Sequence, residues 1–357
     1  QINLGNIDSV NYTFGHRFHT NKKIRILDSA QYASELKKNK VIINQYNRRK
    51  IILEKSNNIS RRLKLCFSPE KRLLDEVVNL LEWPVILTGS FKKDFLKLPE
   101  EVLVSSMQIK QRYFPLRKPD SGKLSNRFLI ASNIEAKDKG ISIIKGNERV
   151  LNARLEDASF FWKEDIKIKL EDRIDNLKGL VFHAKLGSVY LKVIRVKKLS
   201  EFIAKNLRVS KKITIDIKRS SELCKSDLVS HMVNEFPELQ GIMGSHYANL
   251  FGENKRVSKA IAEHYQPIGP KDMVSDSIVS QILGLSDKID TIIGFFLVNE
   301  IPSSSKDPYA LRRTALGIIR IVLEGNININ FNKMFKANIG YYNKIDNLNM
   351  KDIKEID

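Results

Sequence analysis

The sequence predicts an α+β N-terminal module followed by a mostly α-helical domain, with the boundary near residue 175. Three observations carry that reading. Helical and strand signals alternate between residues 70 and 134. After Gly146 the apolar residues recur almost throughout at three- and four-residue spacing, the period of a helix. Neither an internal repeat nor a low-complexity linker separates the parts.

Taken in order, 29–56 reads as helical, with Tyr32, Leu36, Val41, Ile43 and Ile51 as its apolar points. Leu73, Leu74, Val77, Val78 and Leu81 repeat at three and four and mark an amphipathic helix over 70–81. The run WPVILTGSF (83–91) is strand-like, opened by Pro84 and closed by Gly89-Ser90. Pro99 at a first helical position opens a helix over 99–114. Asp120, Ser121 and Gly122 make 115–126 a turn-rich hairpin loop, which leads into a strand at 127–134. Beyond it, Leu151, Leu155, Ala158 and Trp162 share one face of a helix over 148–165, and helical patterns follow at 186–207, 220–236, 275–300 and 308–324. The polar stretch 341–357 reads as a linker.

The chain has 357 residues, 42% hydrophobic and 29% charged, which suits a folded two-domain protein. Its longest apolar run, IIGFFLV (292–298), is far too short for a membrane span. Cys66 and Cys224 lack CxxC spacing, which excludes a disulfide framework or zinc ribbon and favours a reducing, cytoplasmic setting with both thiols in the core. The chain opens on Gln1 rather than Met, and so reads as a piece of a longer protein. Its net charge of +20 is divided as +12 over residues 1–175 and +8 over residues 176–357. A basic surface on both halves points to a polyanionic partner. A compositional bias towards Lys, Ile and Asn accounts for such a balance equally well.

The chemistry-bearing stretch is CKSDLVSHMVNEFPELQGIMG (224–244). Read as one helix over 221–236 stopped by Pro237, it sets Asp227 and His231 four residues apart on one face. The order of residues resembles the HD superfamily of metal phosphohydrolases, with His183 as the first His and Asp287 as the last Asp. The defining His-Asp pair is here Ser226-Asp227. A serine hydroxyl is a poor ligand for a divalent ion, so the expectation is an HD-like helical domain with a degenerate centre at His183, Ser226, Asp227 and Asp287 and no metal. Asp227 and Asp287 then serve as hydrogen-bond acceptors that link helices.

In SSSKDPYALRRTALGIIR (303–320), Asp307 is placed to cap a helix whose first position is Pro308. Lys306, Arg312, Arg313 and Arg320 edge that helix and form the candidate phosphate-contacting surface, against the simpler reading of a solvated face. The pair in HRFH (16–19) has no acidic neighbour and reads as structural or surface. Neither GxxxxGK[ST] nor GxSxG occurs, so the chain shows no self-contained ATP site and no nucleophile elbow.

One family gathers these segments. FGHRF (14–18), LLDEVVNLLEWPVILTGSF (73–91), LPEEVL (98–103), QRYFP (111–115), KGNERVLNARLEDASFFWKED (145–165), LKGLVFHAKLGS (177–188), EFPELQGIMG (235–244) and SKDPYALRRTALGIIRI (305–321) resemble, in order, the beta subunits of the bacterial tetrameric glycine–tRNA ligase. The chain departs from the family's usual pattern at His183, Leu191 and Ile194.

The resemblance implies that 1–175 is a body module similar to the editing-type module in the beta chain of the phenylalanine enzyme. Residues 176–340 would be the HD-like domain, and 341–357 would lead to an anticodon-binding domain. It implies a tRNA-binding subunit in an alpha-two beta-two tetramer. The alpha subunit would use ATP and Mg2+ to make glycyl-adenylate, while this chain carries no cofactor and touches no membrane. The rival expectations are an HD-type metal-dependent phosphohydrolase built on Asp227, His231 and Asp287, and a stand-alone RNA-binding remnant.

Overall fold

The computed structural model describes residues 3–5, 7–20 and 22–345. The chain divides into two compact units, Gln1–Phe160 and Phe161–Asp357. The division falls inside a long helix, upstream of the boundary expected near 175.

The first unit is α+β. Two short antiparallel pairs open it, β1 (Asn3–Leu4) with β2 (Ile7–Asp8) and β3 (Tyr12–Phe14) with β4 (Lys23–Arg25). The helix expected over 29–56 is two helices, α1 (Ser29–Lys38) and α2 (Gln45–Arg62). Three residues break it. Asn39 closes α1, Lys40 takes a left-handed φ of 62°, and the Asn44 side chain caps α2 by accepting from the Tyr46 and Asn47 amides.

α3 (Lys71–Leu80) follows, then a three-stranded antiparallel sheet in the order β5 (Val85–Ser90), β7 (Leu124–Ser132), β6 (Phe114–Arg117). α4 (Glu100–Gln111) lies between β5 and β6 in sequence, with Pro99 as its cap rather than its first residue. The expected hairpin loop is shorter than its sequence span, because Phe114–Arg117 and Leu124–Asn126 are already strand and only 118–123 turns, with Gly122 at φ 64°.

The first core is apolar. α2 and α3 lay Ile52, Leu73, Leu74, Val77 and Val78 against Ile86, Phe114, Leu116 and Leu129 of the sheet. Gly89 is required there: a Cβ on it would stand 2.7 Å from Phe128, whose ring stacks on Tyr113 at 4.9 Å.

α5 (Ile141–Asp165) spans the division. The second unit holds the hairpin β8 (Val181–His183) and β9 (Gly187–Ser188), then α6 (Val189–Asn206), α7 (Lys211–Leu223), α8 (His231–Glu235), α9 (Ile242–Leu250), α10 (Lys255–Glu263), α11 (Ile278–Leu297), α12 (Leu311–Glu324) and α13 (Phe331–Ile345). α11 is buried on nearly every side and is surrounded by α6, α7, α10, α12 and α13. Its all-round hydrophobicity is what a central helix needs.

Four expectations are corrected here. The single helix over 221–236 does not exist. α7 stops at Leu223, a 3-10 turn covers Ser226–Val229, and α8 starts at His231. Ser230 is the cause: its backbone is extended and its hydroxyl caps α8 by accepting from the Val233 amide. Asp227 and His231 therefore share no helical face.

α12 begins at Leu311 rather than Pro308. Ala310 takes a left-handed φ of 54°, and Asp307 accepts from the Leu311 and Arg312 amides from outside the helix. Residues 341–345 belong to α13, not to a linker, and 346–357 lie outside the described residues. Of the two free thiols, Cys224 is buried but Cys66 is exposed. Among the described residues, no helix is long and apolar enough to cross a membrane.

Candidate functional site

The second unit is organised around charged side chains in its buried interior. α11 carries Asp287, Lys288, Asp290 and Thr291 into the core, and α6 faces it with Lys192 and Arg195 one turn apart. Arg195 grips Asp290 with two bonds, Nε to Oδ1 at 2.9 Å and Nη2 to Oδ2 at 3.3 Å. Asn338 adds a bond to Asp290 Oδ1 at 3.2 Å, and the Tyr342 hydroxyl donates to the Asp290 carbonyl at 2.9 Å. The Arg195 guanidinium lies 3.9 Å from the Tyr342 ring centre. Lys192 Nζ donates to Thr291 Oγ1 at 2.7 Å and the Asp287 carbonyl at 3.1 Å, and stands 3.2 Å from Asp287 Oδ1.

Lys225 reaches the same carboxylate from the segment after α7. Its ammonium sits 3.1 Å from Asp287 Oδ2, 2.8 Å from His264 Nε2 and 3.7 Å from the centre of the Tyr265 ring. Burial and the adjacent ammonium of Lys225 hold the His264 pKa well below its ordinary value, so the ring is neutral at pH 7. The neutral ring accepts from Lys225 at Nε2, and its Nδ1–H then donates to the Ile261 carbonyl at 2.7 Å. Burial alone would push the Asp287 carboxyl up. Lys192 and Lys225 overcome it and hold the group well below the usual range.

Lys288 spends its three protons on the carbonyls of His264 (3.1 Å), Tyr265 (3.0 Å) and Gln266 (3.0 Å). Burial lowers its pKa to about 8. Three cationic side chains, Lys192, Arg195 and Lys225, thus meet two carboxylates, Asp287 and Asp290, and Lys288 lies beside them on backbone carbonyls.

Each residue of the expected HD centre has its own setting. His183 is in β8, where its ring packs edge-on against Phe295 (5.3 Å) and Tyr309 (5.7 Å) and its Nδ1 accepts from the Lys185 amide. Ser226 is fully buried and its hydroxyl has no hydrogen-bond partner among the described residues. Asp227 turns its Oδ2 onto the amides of Gly241 (2.6 Å) and Gly244 (3.0 Å), and burial still raises its pKa to about 6. His231 is exposed and stacks on Phe161. Among the described residues, no three His, Cys, Asp or Glu side chains converge as a metal would require. Asp287 faces ammonium groups instead.

A further buried carboxylate, Asp165 at the end of α5, holds the 231–232 turn. It accepts from the amides of His231 (3.0 Å) and Met232 (2.9 Å), from the Tyr247 hydroxyl (2.8 Å) and from Arg173 (3.2 Å).

The basic residues before and along α12 differ in what they are free to do. Arg320 is committed to structure, donating to the carbonyls of Gly269 (3.1 Å) and Asp272 (2.7 Å) and pairing with Glu324 (2.6 Å). Arg312 donates to the Ser303 carbonyl. Lys306 is exposed on the preceding loop. Arg313 is exposed and has no hydrogen bond or ion pair among the described residues.

Arg313 also stands on the walls of two adjoining cavities. The outer is a cleft of about 650 Å³ between residues 267–270 and α12. The inner, about 180 Å³, reaches Asp287, Lys288 and Thr291. Pro267, Ile268, Ala310 and Arg313 line both.

Sequence reading found the α12 cations and Asp287 but missed Lys192, Arg195, Lys225, His264, Lys288 and Asp290. One signal was present: Asp287-Lys288 and Asp290 interrupt the most hydrophobic helical stretch of the chain. No local spacing announces that Lys225 and His264 meet.

What the geometry defines is an α+β unit and a helical unit whose basic cleft adjoins an ionic core, an arrangement suited to holding a polyanion. Residues 1–355 match the family described as glycyl-tRNA synthetase beta subunit. The glycine–tRNA ligase beta subunit of Phenylobacterium zucineum is 46% identical over 311 residues, 87% of this chain and 46% of that protein. Those of Citrifermentans bemidjiense and Rickettsia prowazekii are 43% and 41% identical, over 95% and 99% of this chain and 49% and 51% of theirs. The chain belongs to the glycyl-tRNA synthetase beta subunit family and spans about half the length of the curated relatives it matches.

Proposed function

We propose that this chain serves glycine–tRNA ligase by holding tRNA(Gly) while a separate alpha subunit carries out the chemistry. Family membership over residues 1–355 is the observation that carries this reading. In it, the alpha subunit uses ATP and Mg2+ to activate glycine, the two chains assemble as an alpha-two beta-two tetramer in the cytoplasm, and this chain binds no cofactor of its own. Residues 1–175 act as the editing-type body module and 176–340 as an HD-like domain whose centre at His183, Ser226, Asp227 and Asp287 is structural. Lys306, Arg312, Arg313 and Arg320 edge the RNA-facing surface.

Physical argument supports the division of labour. A long polyanion is held by many weak phosphate contacts spread over a basic surface, as the net charge of +20 supplies. Holding the reacting end of a substrate in place contributes a large share of rate acceleration, so a subunit without bond-making residues still governs turnover.

The test is reconstitution. The purified chain is mixed with the cognate alpha subunit, and tRNA(Gly) binding and glycylation are measured for each chain alone and together. Charging only by the mixture, with tRNA retained by this chain, is the expected result. Hydrolysis of a small phosphorylated compound by this chain alone, or unchanged charging without it, overturns the reading.

A further inference from the structure

We infer that the cleft between residues 267–270 and α12 seats one unpaired nucleotide of an RNA strand, its phosphate at Arg313 and its base against Ile268 and Leu316. This rests on the RNA-binding reading above and says where a part of that RNA goes.

Four observations converge on it. The first is size: the outer cleft of about 650 Å³ falls in the ~300–1,000 Å³ range of small-ligand sites, and the inner pocket of about 180 Å³ shares Pro267, Ile268, Ala310 and Arg313 with it. The second is the division of work among the arginines. Arg320 clamps the carbonyls of Gly269 and Asp272 and is neutralised by Glu324, and Arg312 is bonded to the Ser303 carbonyl. They fix the cleft's walls, and Arg313 alone of the three has a guanidinium uncommitted among the described residues.

The third is the lining beside Arg313. Ile268 is 53% exposed and Leu316 60% exposed, on the two sides of the cleft. Apolar side chains facing each other across an open slot, with one cation at the edge, match the flat face and charged linkage of a nucleotide. Carboxylates do not dominate the outer cleft: Asp307 is its acidic member, and both its oxygens are bound to the amides of Leu311 and Arg312.

The fourth is the ionic core. Lys192, Arg195, Lys225 and Lys288 stand against Asp287, Asp290 and, beside Lys225, Asp227, and Lys288 and Asp287 both line the inner pocket. The Lys288 ammonium is saturated by three carbonyls, so it acts on an anion in the cleft through its field rather than by contact.

A hairpin RNA is prepared with and without a four-nucleotide single-stranded 3′ extension, and both are titrated against the full chain by fluorescence anisotropy. The wild type is expected to bind the extended hairpin about tenfold tighter than the blunt one. Arg313→Ala and Leu316→Glu abolish that preference. Ile319→Glu, at an exposed site on the same helix outside the cleft lining, keeps it with the same change of net charge as either variant. Arg313→Ala also lowers the slope of log K against log salt by about 0.7 for the extended RNA.

All three sites are exposed, so folding is expected to be preserved, and melting temperatures equal to the wild type's check it. Equal binding of the two hairpins by the wild type, or cleft variants that behave as Ile319→Glu does, overturns the cleft assignment and leaves RNA binding standing. If the wild type binds neither hairpin nor tRNA, both readings fall together.

Discussion

In the first unit, α2, α3 and the sheet close over Ile52, Leu74, Val78, Phe114 and Leu129, and charge stays outside. In the second, α11 carries Asp287, Lys288 and Asp290 into a core whose other occupants are Leu283, Leu285 and Ile289. Both interiors are buried, but they specify their folds differently. An apolar core is held by volume: each side chain adds its own burial, and neighbours substitute for one another at modest cost. An ionic core is held by pairing, because every charge is costly alone and tolerable only with its partner. Pairing also ties distant segments together by identity. Lys225, His264 and Asp287 come from three separate stretches of chain, and only this arrangement satisfies all three.

That difference is broken most severely at Asp290. Asp290→Ala strips Arg195, which is 0% exposed, of its charge-assisted bonds to that carboxylate, and removes one partner each from Asn338 and Lys192. A loss of about 3–5 kcal/mol is expected in urea unfolding, the cost of a buried charge left unpaired. Adding Arg195→Met removes that orphan, and the double variant regains part of the loss. In the first unit, Leu129→Ala costs about 2–5 kcal/mol through its cavity, and a second deletion at Val78 deepens the loss instead of relieving it. Couplings of opposite sign in the two double-mutant cycles measure the contrast directly. Equal, additive losses in both cycles would show that the ionic cluster behaves as ordinary packing.

Acid separates two groups within the second unit. The folded chain keeps His264 neutral because its pKa lies well below 6.5, whereas the unfolded chain protonates it near 6.5. Its contribution to stability is complete above about pH 6.5 and is lost as pH falls below that value. Asp227 has the opposite sign. Burial raises its pKa to about 6 against 3.8 unfolded, so between those values the folded state takes up a proton that the unfolded state does not, and stability is gained as pH falls. In urea titrations at pH 7, 6 and 5, His264→Gln should therefore flatten the decline towards acid and Asp227→Asn should steepen it. Parallel curves for all three proteins would remove both groups from the acid response.

Much of this architecture was legible in the sequence where local rules decide. The 73–78 periodicity gave α3, Pro84 and Gly89-Ser90 bracketed β5, and the paired turn residues announced the β6–β7 hairpin. Reading failed where one side chain overrides a periodic pattern. Ser230 and Asn44 each cap a new helix inside what looked like a continuous one. Asp307 and Ala310 delay α12 by three residues. The candidate site was half visible. Its cations on α12 stand in one short stretch, and the structure distinguishes the committed Arg320 from the uncommitted Arg313. The ionic core was not visible, because Lys192, Lys225 and His264 meet Asp287 only through tertiary packing. Helical spacing also mistook Asp227 and His231 for neighbours.

The smallest expected effect uses the two thiols as reporters of the two interiors. Cys66 is exposed beside the short backbone bridge to Arg117, and a thiol reagent reaches it without any opening of the fold. Cys224 is fully buried one residue before Lys225, and burial, opposed by that ammonium, pushes its pKa up to about 12. The thiolate is the reacting form, so Cys224 is shielded twice, by access and by ionisation. Native protein should therefore release one equivalent of chromophore from a disulfide reagent promptly and the second only as the helical unit opens. Weakening the ionic core with Asp290→Ala should raise the rate of the second phase and leave the first unchanged. Two fast equivalents from the wild type would show that the segment joining α7 to Lys225 opens on its own, so that Lys225 does not lock it to Asp287.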